Sequence, residues 1–249
     1  MNPDAATLIR VCEATWPAAR NFDEGPFTFR DGQGGGKRVS ATTRNGAAVP
    51  RDEDRQRAEE RMADMGQPLL FQLRPGDDDF DAHLDAAGYE IIDPTNAYVI
   101  ETARLTDIPI PRVTTFCIWE PLAVMTDLWA AAGIGPSRLA VMQRAQCTKT
   151  AILGRIEDSP AACAYVGLSE GVAMLHALEV TPDKRRKGLA QWMMRQAAVW
   201  AQGQGARHLS VLCTRANAPA NALYRAMGFA PAGRYHYRIK SDPAPGDQR

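Results

Sequence analysis

An apolar run, a basic turn that contains glycine and a helix follow one another in residues 174–201, and this order constrains the fold more than any other feature. The apolar run 174–180 predicts a buried strand, and the pattern of 189–201 predicts a helix. The turn between them reads Thr-Pro-Asp-Lys-Arg-Arg-Lys-Gly and ends at Gly188. A helix start has backbone amides without intrahelical acceptors and a partial positive charge, which the neighbouring cations strengthen. The sequence therefore predicts a site for a polyanion at this turn.

A second motif closes the same stretch. An apolar strand over 208–213 precedes Asn217-Ala-Pro-Ala-Asn-Ala-Leu-Tyr-Arg-Ala-Met-Gly-Phe229. Together the two motifs resemble the acyl-CoA-binding core of the GNAT acetyltransferase superfamily, whose signature Arg/Gln-x-x-Gly-x-Gly/Ala falls here on Arg185, Gly188 and Ala190. The resemblance implies acetyl-CoA as the acyl donor. It also implies direct transfer of the acetyl group to a primary amine of a small molecule, peptide or protein.

The same resemblance assigns residues to the cofactor. Backbone groups of the strand before the turn would hold the pantetheine arm, and the amides of the turn would bind the pyrophosphate. The expected cofactor-binding residues are Leu178, Glu179, Val180, Arg185, Arg186, Lys187, Gly188, Leu189, Ala190, Asn217 and Tyr224. Two alternatives stay open: the basic run is also typical of a solvated helix start, and Asn217 also suits a helix cap.

Tyr224 is the residue that the resemblance places beside the cofactor sulfur. A phenol with an ordinary pKa of about 10 can donate a proton to a departing thiolate, for which the ordinary pKa is about 8.5. General acid catalysis of this kind typically contributes about 10² to 10⁴ in rate. The alternative is a core tyrosine that packs with Leu223 and Met227. We expect Tyr224 to be the general acid.

The general base is harder to assign. Many family members carry a glutamate near the start of the strand, where this chain has Met174. Regular alternation predicts that Met174, His176, Leu178 and Val180 share one face of the strand, with Glu179 on the other. His176, with an ordinary pKa of about 6.5, and Glu179 are the candidate catalytic bases. The alternatives are a core role for His176, an ion pair between Glu179 and the basic turn, and a water chain without a dedicated base.

The chain also repeats itself. Residues 70–89 align without gaps on residues 210–229, and each copy reads strand, turn, helix, glycine and an aromatic residue. This pattern predicts two GNAT-like units in tandem. The first copy lacks an Arg-x-x-Gly-x-Ala turn and has Leu84 where the second copy has Tyr224. We therefore expect the N-terminal unit to be degenerate and without a cofactor site.

The predicted fold class is α/β, with a central mixed sheet flanked by helices in each of two tandem GNAT-like domains. The degenerate domain is expected in residues 1–102, and a proline-containing linker in 103–112. The acetyltransferase domain is expected in 113–240, and a disordered tail in 241–249.

A glycine-rich segment in the N-terminal part offers a second possible phosphate loop. It reads Asp-Gly-Gln-Gly-Gly-Gly-Lys over residues 31–37. A phosphate loop has to lead into a helix, whereas residues 39–43 are rich in β-branched side chains. We therefore predict a hairpin turn followed by a strand.

Charge and cysteine usage exclude several classes of protein. Lys plus Arg and Asp plus Glu both number 29, so no global field attracts nucleic acid. No apolar run is long enough to cross a membrane, and the N-terminus lacks an export signal. The five cysteines form no Cys-x-x-Cys motif, and the four histidines show no ligand spacing. We expect a cytoplasmic monomer or homodimer with no metal, nucleic-acid or membrane partner.

Two other functions compete with acyl transfer. A CoA-binding sensor or partner module without turnover is favoured by the missing carboxylate at position 174, and Tyr224 argues against it. An ATP-binding protein would use the same anion site, but the motif Gly-x-x-x-x-Gly-Lys-Ser/Thr is absent. The sequence therefore favours an acyl-CoA-dependent N-acetyltransferase of the GNAT type.

Overall fold

Two compact units make up the part of the chain that the computed structural model describes, residues 2–241. The larger unit contains the residues up to Pro17 together with Asn96–Gly233, and the smaller unit contains Ala18–Thr95 together with the residues from Arg234. The predicted disordered tail lies outside the described residues, except for Ser241. Within the described residues, no helix combines the length and the apolar character that crossing a bilayer requires.

The elements alternate between helices and strands along the whole chain. In chain order they are α1 (Ala5–Thr15), β1 (Arg20–Glu24), β2 (Phe27–Asp31), α2 (Lys37–Ser40), β3 (Thr43–Arg44), α3 (Asp52–Asp64), β4 (Leu69–Leu73), α4 (Asp78–Ala86), β5 (Glu90–Glu101), β6 (Thr115–Ile118), α5 (Ala123–Ala131), α6 (Pro136–Arg144), β7 (Thr148–Ile156), β8 (Ser159–Ser169), β9 (Val172–Val180), α7 (Leu189–Gly203), β10 (His208–Thr214), α8 (Ala218–Ala226) and β11 (Ala230–Lys240). The predicted mixed α/β class is confirmed.

A mixed sheet forms the centre of the larger unit, with the strand order β5-β10-β9-β8-β7-β6. β9 and β10 are parallel, and the pairs from β9 outward to β6 are antiparallel. Helix α7 covers one face and buries Leu189, Met193, Met194, Ala197, Ala198 and Ala201. Each buried Leu or Met side chain contributes about 1.5–3 kcal/mol. Glycine in β7 allows this close packing, since a Cβ on Gly154 would lie 2.6 Å from Sδ of Met193.

Helices α1 and α5 pack on the opposite face of the same sheet. The buried face of α1, with Leu8, Val11 and Cys12, contacts Val172 and Met174 of β9. Because both faces are covered, the inner strands are apolar along most of their length. The site described below lies where two inner strands of this sheet, β9 and β10, stop pairing.

The smaller unit contains an antiparallel sheet, β1-β2-β3, and the antiparallel pair of β4 with β11. Its core is largely aromatic and includes Phe27, Phe29, Phe71, Phe80 and Tyr89. Ring centroids of neighbouring aromatic side chains lie 5.4–6.2 Å apart. Such edge-to-face and tilted pairs stabilise a core beyond the area that they bury.

The predicted hairpin and strand over residues 31–43 are wrong. Gly36 has a φ of 94° and leads into the one-turn helix α2, in which Oγ of Ser40 donates to the Gly36 carbonyl at 3.1 Å. Only Thr43–Arg44 joins the sheet, as β3. The helical turn places Val39 in the core with 0% exposure, which outweighs the β-propensity of this segment.

The internal repeat is visible in the structure. β4 and α4 of one copy correspond to β10 and α8 of the other. Both helices end at a glycine with a φ of 83°, Gly88 and Gly228. In both copies the amide of the following aromatic residue donates at 3.0 Å to a carbonyl of the last helical turn. The two copies thus share the same left-handed helix termination.

The strand that follows each repeat helix passes from one unit into the other. β5 follows α4 and belongs to the larger unit from Asn96, while β11 follows α8 and belongs to the smaller unit from Arg234. The compact units therefore divide the chain differently from the predicted domains 1–102 and 113–240. The first residues of the predicted linker are part of the larger unit, because Leu105 is 2% exposed in its core. Burial of its side chains outweighs the proline content that suggested a free segment.

Candidate active site

A bulge interrupts β9 immediately before the turn. Tyr165 of β8 lies opposite His176, and Cys163 lies opposite Glu179. Between these two pairs β9 therefore contains one more residue than β8. Ala177 has a φ of 51°, which is unusual for a residue with a side chain. An extra residue in one strand shifts the alternation of side chains. The second half of β9 is therefore reversed relative to the first.

The predicted alternation along β9 is wrong for this reason. Met174 packs with α1 on one face, while Leu178 and Val180, which were predicted to share that face, pack against the core beneath α7 on the other. Glu179 moves to the face of His176, because it is paired with Cys163, two residues from the partner of His176 on β8. The bulge thus brings the two candidate bases to the same face of the sheet.

Trp129 of α5 fixes the bulge from that face. Its side chain is fully buried, and its Nε1 donates to the carbonyl of Ala177 at 2.8 Å. The carbonyl would otherwise be a partly buried acceptor without a donor, which is costly. Sequence reasoning did not assign Trp129, since a buried tryptophan in an apolar helix gives no signal of its partner.

Replacing Trp129 with phenylalanine should lower the free energy of unfolding by about 1–3 kcal/mol, because it leaves the Ala177 carbonyl without its donor. Urea denaturation followed by circular dichroism measures this change. Expressed as free energies, the loss in kcat/KM under native conditions should exceed the loss in unfolding free energy, since the bulge orients Glu179. An unchanged unfolding midpoint would show that the hydrogen bond does not hold the bulge.

The pairing of β9 with β10 ends just before the bulge. Their pairing runs from Val172 opposite His208 to Leu175 opposite Val211 and stops there, although both strands continue. On its other edge β9 stays paired with β8 as far as Val180 opposite Ala162. The backbone of residues 178–180 therefore has a ladder partner on the β8 side and an open edge on the β10 side. An extended chain that carries amides can bind such an edge.

The basic turn follows directly and has the predicted strand, turn and helix structure. Gly188 adopts a φ of 83° at the start of α7, and Arg186 has a φ of 62°. A Cβ on Gly188 would meet no atom within 4 Å, so the backbone conformation, not crowding, requires glycine there. The amides of residues 186–190 have no acceptor within the described part of the protein. Residues 186–188 are exposed, so these amides can reach a ligand.

Glu157 neutralises part of the positive charge at this turn. It lies in the turn between β7 and β8 and binds Nζ of Lys184 and of Lys187, each at 2.6 Å. These two hydrogen bonds lower the pKa of Glu157 to about 2. Arg185 donates through Nε to the Val180 carbonyl at 3.0 Å. Among residues 2–241 Arg186 has no ion-pair partner, so it is the cation best placed to meet an anion here.

Tyr224 lies in α8 with its ring in the core. It is 7% exposed, and its ring lies 5.9 Å from that of Tyr98 and 5.7 Å from that of Phe229. Burial raises the pKa of Tyr224, and the neighbouring Cys213 and Glu179 raise it further. These neighbours belong to the ends of β10 and β9, where the two strands separate. The ring of Tyr224 thus packs in the core, as the alternative interpretation held. Its hydroxyl nevertheless lies near the separated strands, as the catalytic interpretation requires.

Asn217 and Asn221 fix the position of α8. Oδ1 of Asn217 accepts from the amide of Ala220 at 3.1 Å, which is the capping alternative that the sequence left open. Asn221 is 4% exposed; its Nδ2 donates to the carbonyls of Thr214 and Asn217, and its Oδ1 accepts from the hydroxyl of Tyr98 at 2.9 Å. Sequence reasoning missed Asn221, although a polar residue one turn after the cap and on the buried face of α8 was a usable signal.

His176 is embedded among aromatic side chains. It is 3% exposed, and its ring lies 5.1 Å from that of Trp16. Its Nε2 lies 2.8 Å from Oγ1 of Thr15, whose hydroxyl donates to the carbonyl of Val11. Since that oxygen is already a donor to the backbone, it accepts from Nε2–H of the histidine. This geometry favours the core alternative for His176.

Glu179 is half buried at the open end of β9. Burial raises the pKa of its carboxyl group, and Arg185 and Arg138 act in the opposite direction. A small cavity of about 70 Å³ lies beside it and includes apolar atoms of Leu128, Ala131, Ala132, Ala161 and Pro182. A carboxylate with a raised pKa beside an apolar pocket has the properties of a general base. In the described residues no group of three or more His, Cys, Asp or Glu side chains is placed to hold a metal.

Comparison with known proteins agrees with this geometry. Residues 121–229 match the model of the Acetyltransferase (GNAT) family. The uncharacterized N-acetyltransferase YobR of Bacillus subtilis is 26% identical over 247 residues, covering 95% of this chain and 99% of that protein. A GCN5-related N-acetyltransferase from Kribbella flavida has the same fold with a TM-score of 0.69 and 19% identity, covering 98% of both chains.

A structure titled as a tandem GNAT protein from the clavulanic acid biosynthesis pathway is also similar in fold. It superposes with a TM-score of 0.59 and 14% identity, over 97% of this chain and 92% of that one. The basic turn, the separated strands and Tyr224 all fall inside the segment that the family model matches. The segment that matches the Acetyltransferase (GNAT) family model, residues 121–229, therefore contains every candidate catalytic residue described above.

Proposed function

We propose that this protein transfers an acetyl group from acetyl-CoA to a primary amine, with an amide and free CoA as products. The observation that carries the proposal is the meeting of three features at one end of the β9–β10 pair. These are an open strand edge at 178–180, a basic turn whose amides at 186–190 have no acceptor in the described residues, and the hydroxyl end of Tyr224. Each feature suits a different part of an acyl-CoA molecule.

The residues present fit such a donor. The amides of 186–190 and the Arg186 guanidinium suit a pyrophosphate, because oriented amides and a free cation both favour phosphate oxygens. The open edge of Leu178, Glu179 and Val180 suits the amides of a pantetheine arm. Lys187 is bound to Glu157, so its contribution requires that ion pair to open or to accept a third partner.

Glu179 is the proposed general base. Its carboxylate accepts a proton from the acceptor ammonium, which frees the nitrogen lone pair to form the bond to the acetyl carbon. Its position beside the small cavity at the end of α5 supports this role. His176 is the weaker candidate, because its ring lies among Trp16, Tyr165 and Thr15 in the core.

Tyr224 is the proposed general acid. It donates its phenolic proton to the sulfur as the carbon–sulfur bond breaks, and the second proton that the nitrogen loses restores the phenol through water. A phenol is protonated at neutral pH even at its ordinary pKa of about 10, as a proton donor requires, and burial raises the pKa of Tyr224 further. These reaction steps need no acyl-enzyme intermediate.

We also propose that residues 1–102 derive from a GNAT-like unit that lost its donor site. Helix α3 stands before β4 as α7 stands before β10. The first turn of α3 is acidic, with Asp52, Glu53 and Asp54, whereas the first turn of α7 has no acidic residue. Carboxylates at a helix N-terminus occupy the field that would attract phosphate.

Measured turnover separates this proposal from a non-catalytic CoA-binding module. Acetyl-CoA is incubated with a panel of primary amines, and free thiol is followed with a chromogenic disulfide. Acceptor-dependent thiol release supports the enzyme. Binding of CoA in calorimetry without thiol release from any amine in the panel would favour the sensor.

Replacing Arg186 with glutamate should weaken CoA binding by about 10-fold or more, because it removes a charge-assisted contact and places a like charge beside the phosphates. Isothermal titration with CoA measures the effect. The melting temperature of the ligand-free protein should stay within a degree or two, since the side chain is exposed. Equal loss of binding and of stability would make the turn structural.

A further inference from the structure

Glu179 lies near two arginines without forming an ion pair. Its side chain is half buried, and among the described residues no lysine or arginine nitrogen lies within 4 Å of its carboxylate oxygens. Burial raises the pKa of this carboxyl group, and the charges of Arg185 and Arg138 act against the rise, so both guanidinium groups are within electrostatic reach. A carboxylate and a guanidinium that are near each other but unpaired leave both charges free to bind a ligand.

The turn between α5 and α6 brings Arg138 to this end of the sheet. Gly133 ends α5 with a φ of 79°, and the amide of Ile134 donates to the carbonyl of Trp129 at 2.8 Å. Arg138 lies in the first turn of α6, which follows directly. It is exposed, and its side chain forms no hydrogen bond or ion pair with the described residues. Arg138 therefore presents a free cation near Glu179.

The cavity beside Glu179 has small apolar walls. Its volume is about 70 Å³, and three alanines from α5 and β8 form part of its lining, namely Ala131, Ala132 and Ala161. This volume is about half that of an apolar cavity that binds benzene. The cavity therefore suits an aliphatic group of about three carbon atoms.

We propose that the acetyl acceptor is a free α-amino acid with a small aliphatic side chain. Its amine lies at Glu179, its carboxylate is bound by Arg138, and its side chain occupies the alanine-walled cavity. Arg185 is less suited to the carboxylate, because its Nε donates to the Val180 carbonyl at 3.0 Å and its turn is proposed to bind the donor. The inference rests on the proposed acetyl transfer and names the acceptor of that reaction.

The acceptor reacts only at its nitrogen. The nitrogen forms a bond to the acetyl carbon as the carbon–sulfur bond breaks. One of its protons passes to Glu179, and the sulfur receives a proton from Tyr224, which water restores. The products are an N-acetyl amino acid and free CoA, and the carboxylate on Arg138 is unchanged. A bound carboxylate fixes the orientation of the amine, which is what a positioning contact contributes to catalysis.

A matched pair of acceptors tests the role of Arg138. L-Valine and L-valinamide have nearly the same shape, and only L-valine carries a negative charge. The ratio of kcat/KM for L-valine to that for L-valinamide is measured by thiol release from acetyl-CoA with the full-length protein. Arg138→Gln should lower this ratio about 10-fold or more, because a charge-assisted contact is lost for one acceptor only. Both acceptors use Glu179, so the ratio cancels any effect of the substitution on the base.

Arg207→Gln is the matched control for Arg138→Gln. Arg207 is exposed and immediately precedes β10, at the end of the parallel β9–β10 pair opposite to Glu179. This variant should keep the ratio of the wild type. A ratio that stays the same in Arg138→Gln, or falls equally in Arg207→Gln, would overturn the inference and favour an uncharged acceptor such as the N-terminus of a peptide.

A second pair of acceptors tests the cavity. Ala131→Leu should lower kcat/KM for L-valine relative to glycine by about 10-fold, because the added methylenes occupy the space of the valine side chain. Ala130→Leu is the control, since Ala130 is also exposed on α5 but does not line the cavity. Equal ratios in the two variants would show that the acceptor side chain lies elsewhere and would refute the placement.

Calorimetry separates failure of this inference from failure of the proposed acetyl transfer. L-Valine is titrated into the protein at saturating CoA, and Arg138→Gln should bind it about 10-fold more weakly than the wild type. If this difference is found and no amine releases thiol, the amino-acid site stands and the transfer fails. If other amines release thiol while L-valine neither binds nor reacts, the transfer stands and the inference fails.

Discussion

Replacing Tyr224 with phenylalanine is expected to lower kcat by about 10² or more while CoA still binds. The substitution removes only the hydroxyl, and the ring keeps its contacts with Tyr98 and Phe229. No hydrogen bond within the protein depends on this hydroxyl in the described residues, so the stability should change little. Steady-state rates of thiol release, with KM for acetyl-CoA measured in parallel, give the result.

The matched control for Tyr224 is Tyr98→Phe. Tyr98 is also buried, and its hydroxyl donates to Oδ1 of Asn221, so its loss should cost stability. We expect Tyr98→Phe to melt at a lower temperature and to keep most of its kcat. If Tyr224→Phe instead retained full kcat, Tyr224 would be a packing residue and the proton donor would have to be water.

Replacing Glu179 with glutamine should lower kcat/KM by about 10² to 10³, because it removes the base without changing the size of the side chain. Burial raises the pKa of Glu179 above its ordinary value of 4.5. A base must be unprotonated, so wild-type kcat/KM should fall as the pH falls through this raised pKa. The acidic limb of the pH profile should disappear in Glu179→Gln. A persistent limb at the same pH would assign the base to another group.

Stability provides a check on the same variant. A carboxyl group whose pKa is raised on folding favours the folded state below its unfolded pKa, and this contribution is lost as the pH rises through the folded pKa. At neutral pH the ionised Glu179 is therefore a destabilising group, and Glu179→Gln should melt at the same temperature or higher. A variant that is inactive and equally stable separates catalysis from folding.

His176 supplies the second control for the assignment of the base. His176→Gln should lower the melting temperature, because the bond to Oγ1 of Thr15 and the packing against Trp16 are disturbed. Its pH profile should keep the acidic limb of the wild type. Loss of that limb in His176→Gln, and not in Glu179→Gln, would reverse the assignment.

Much of the fold was readable from the sequence because its elements are marked locally. The pattern around Gly188 predicted the start of α7 to the residue, and the apolar run 208–213 predicted all but the last residue of β10. Glycine after α4 and α8 marked both helix ends. The prediction for residues 31–43 was wrong because burial of one valine in a one-turn helix outweighed a weak preference for strand.

The candidate site was predicted in part. Conformational demands on glycine and clustered cations predict the proposed anion-binding turn without any tertiary information. The bulge at Ala177 had no such signal, since alanine is not a residue that favours positive φ. Its cause lies in partners distant in sequence, namely β8 and the donor on Trp129. The pairing of Lys184 and Lys187 with Glu157 was invisible for the same reason.

By itself the sequence determined the order strand, basic turn, helix, strand and helix, the repeat of that closing pattern, and the place of Tyr224 in it. These follow from side-chain periodicity, backbone freedom at glycine and local charge, which act over a few residues. Only the tertiary structure decided that Glu179 and His176 share a face and that β9 leaves β10 after Leu175. It also decided that the strand after each repeat helix, β5 or β11, continues into the other unit. Those outcomes depend on which strands pair and where a register shifts, and they are settled by packing between segments far apart in the chain.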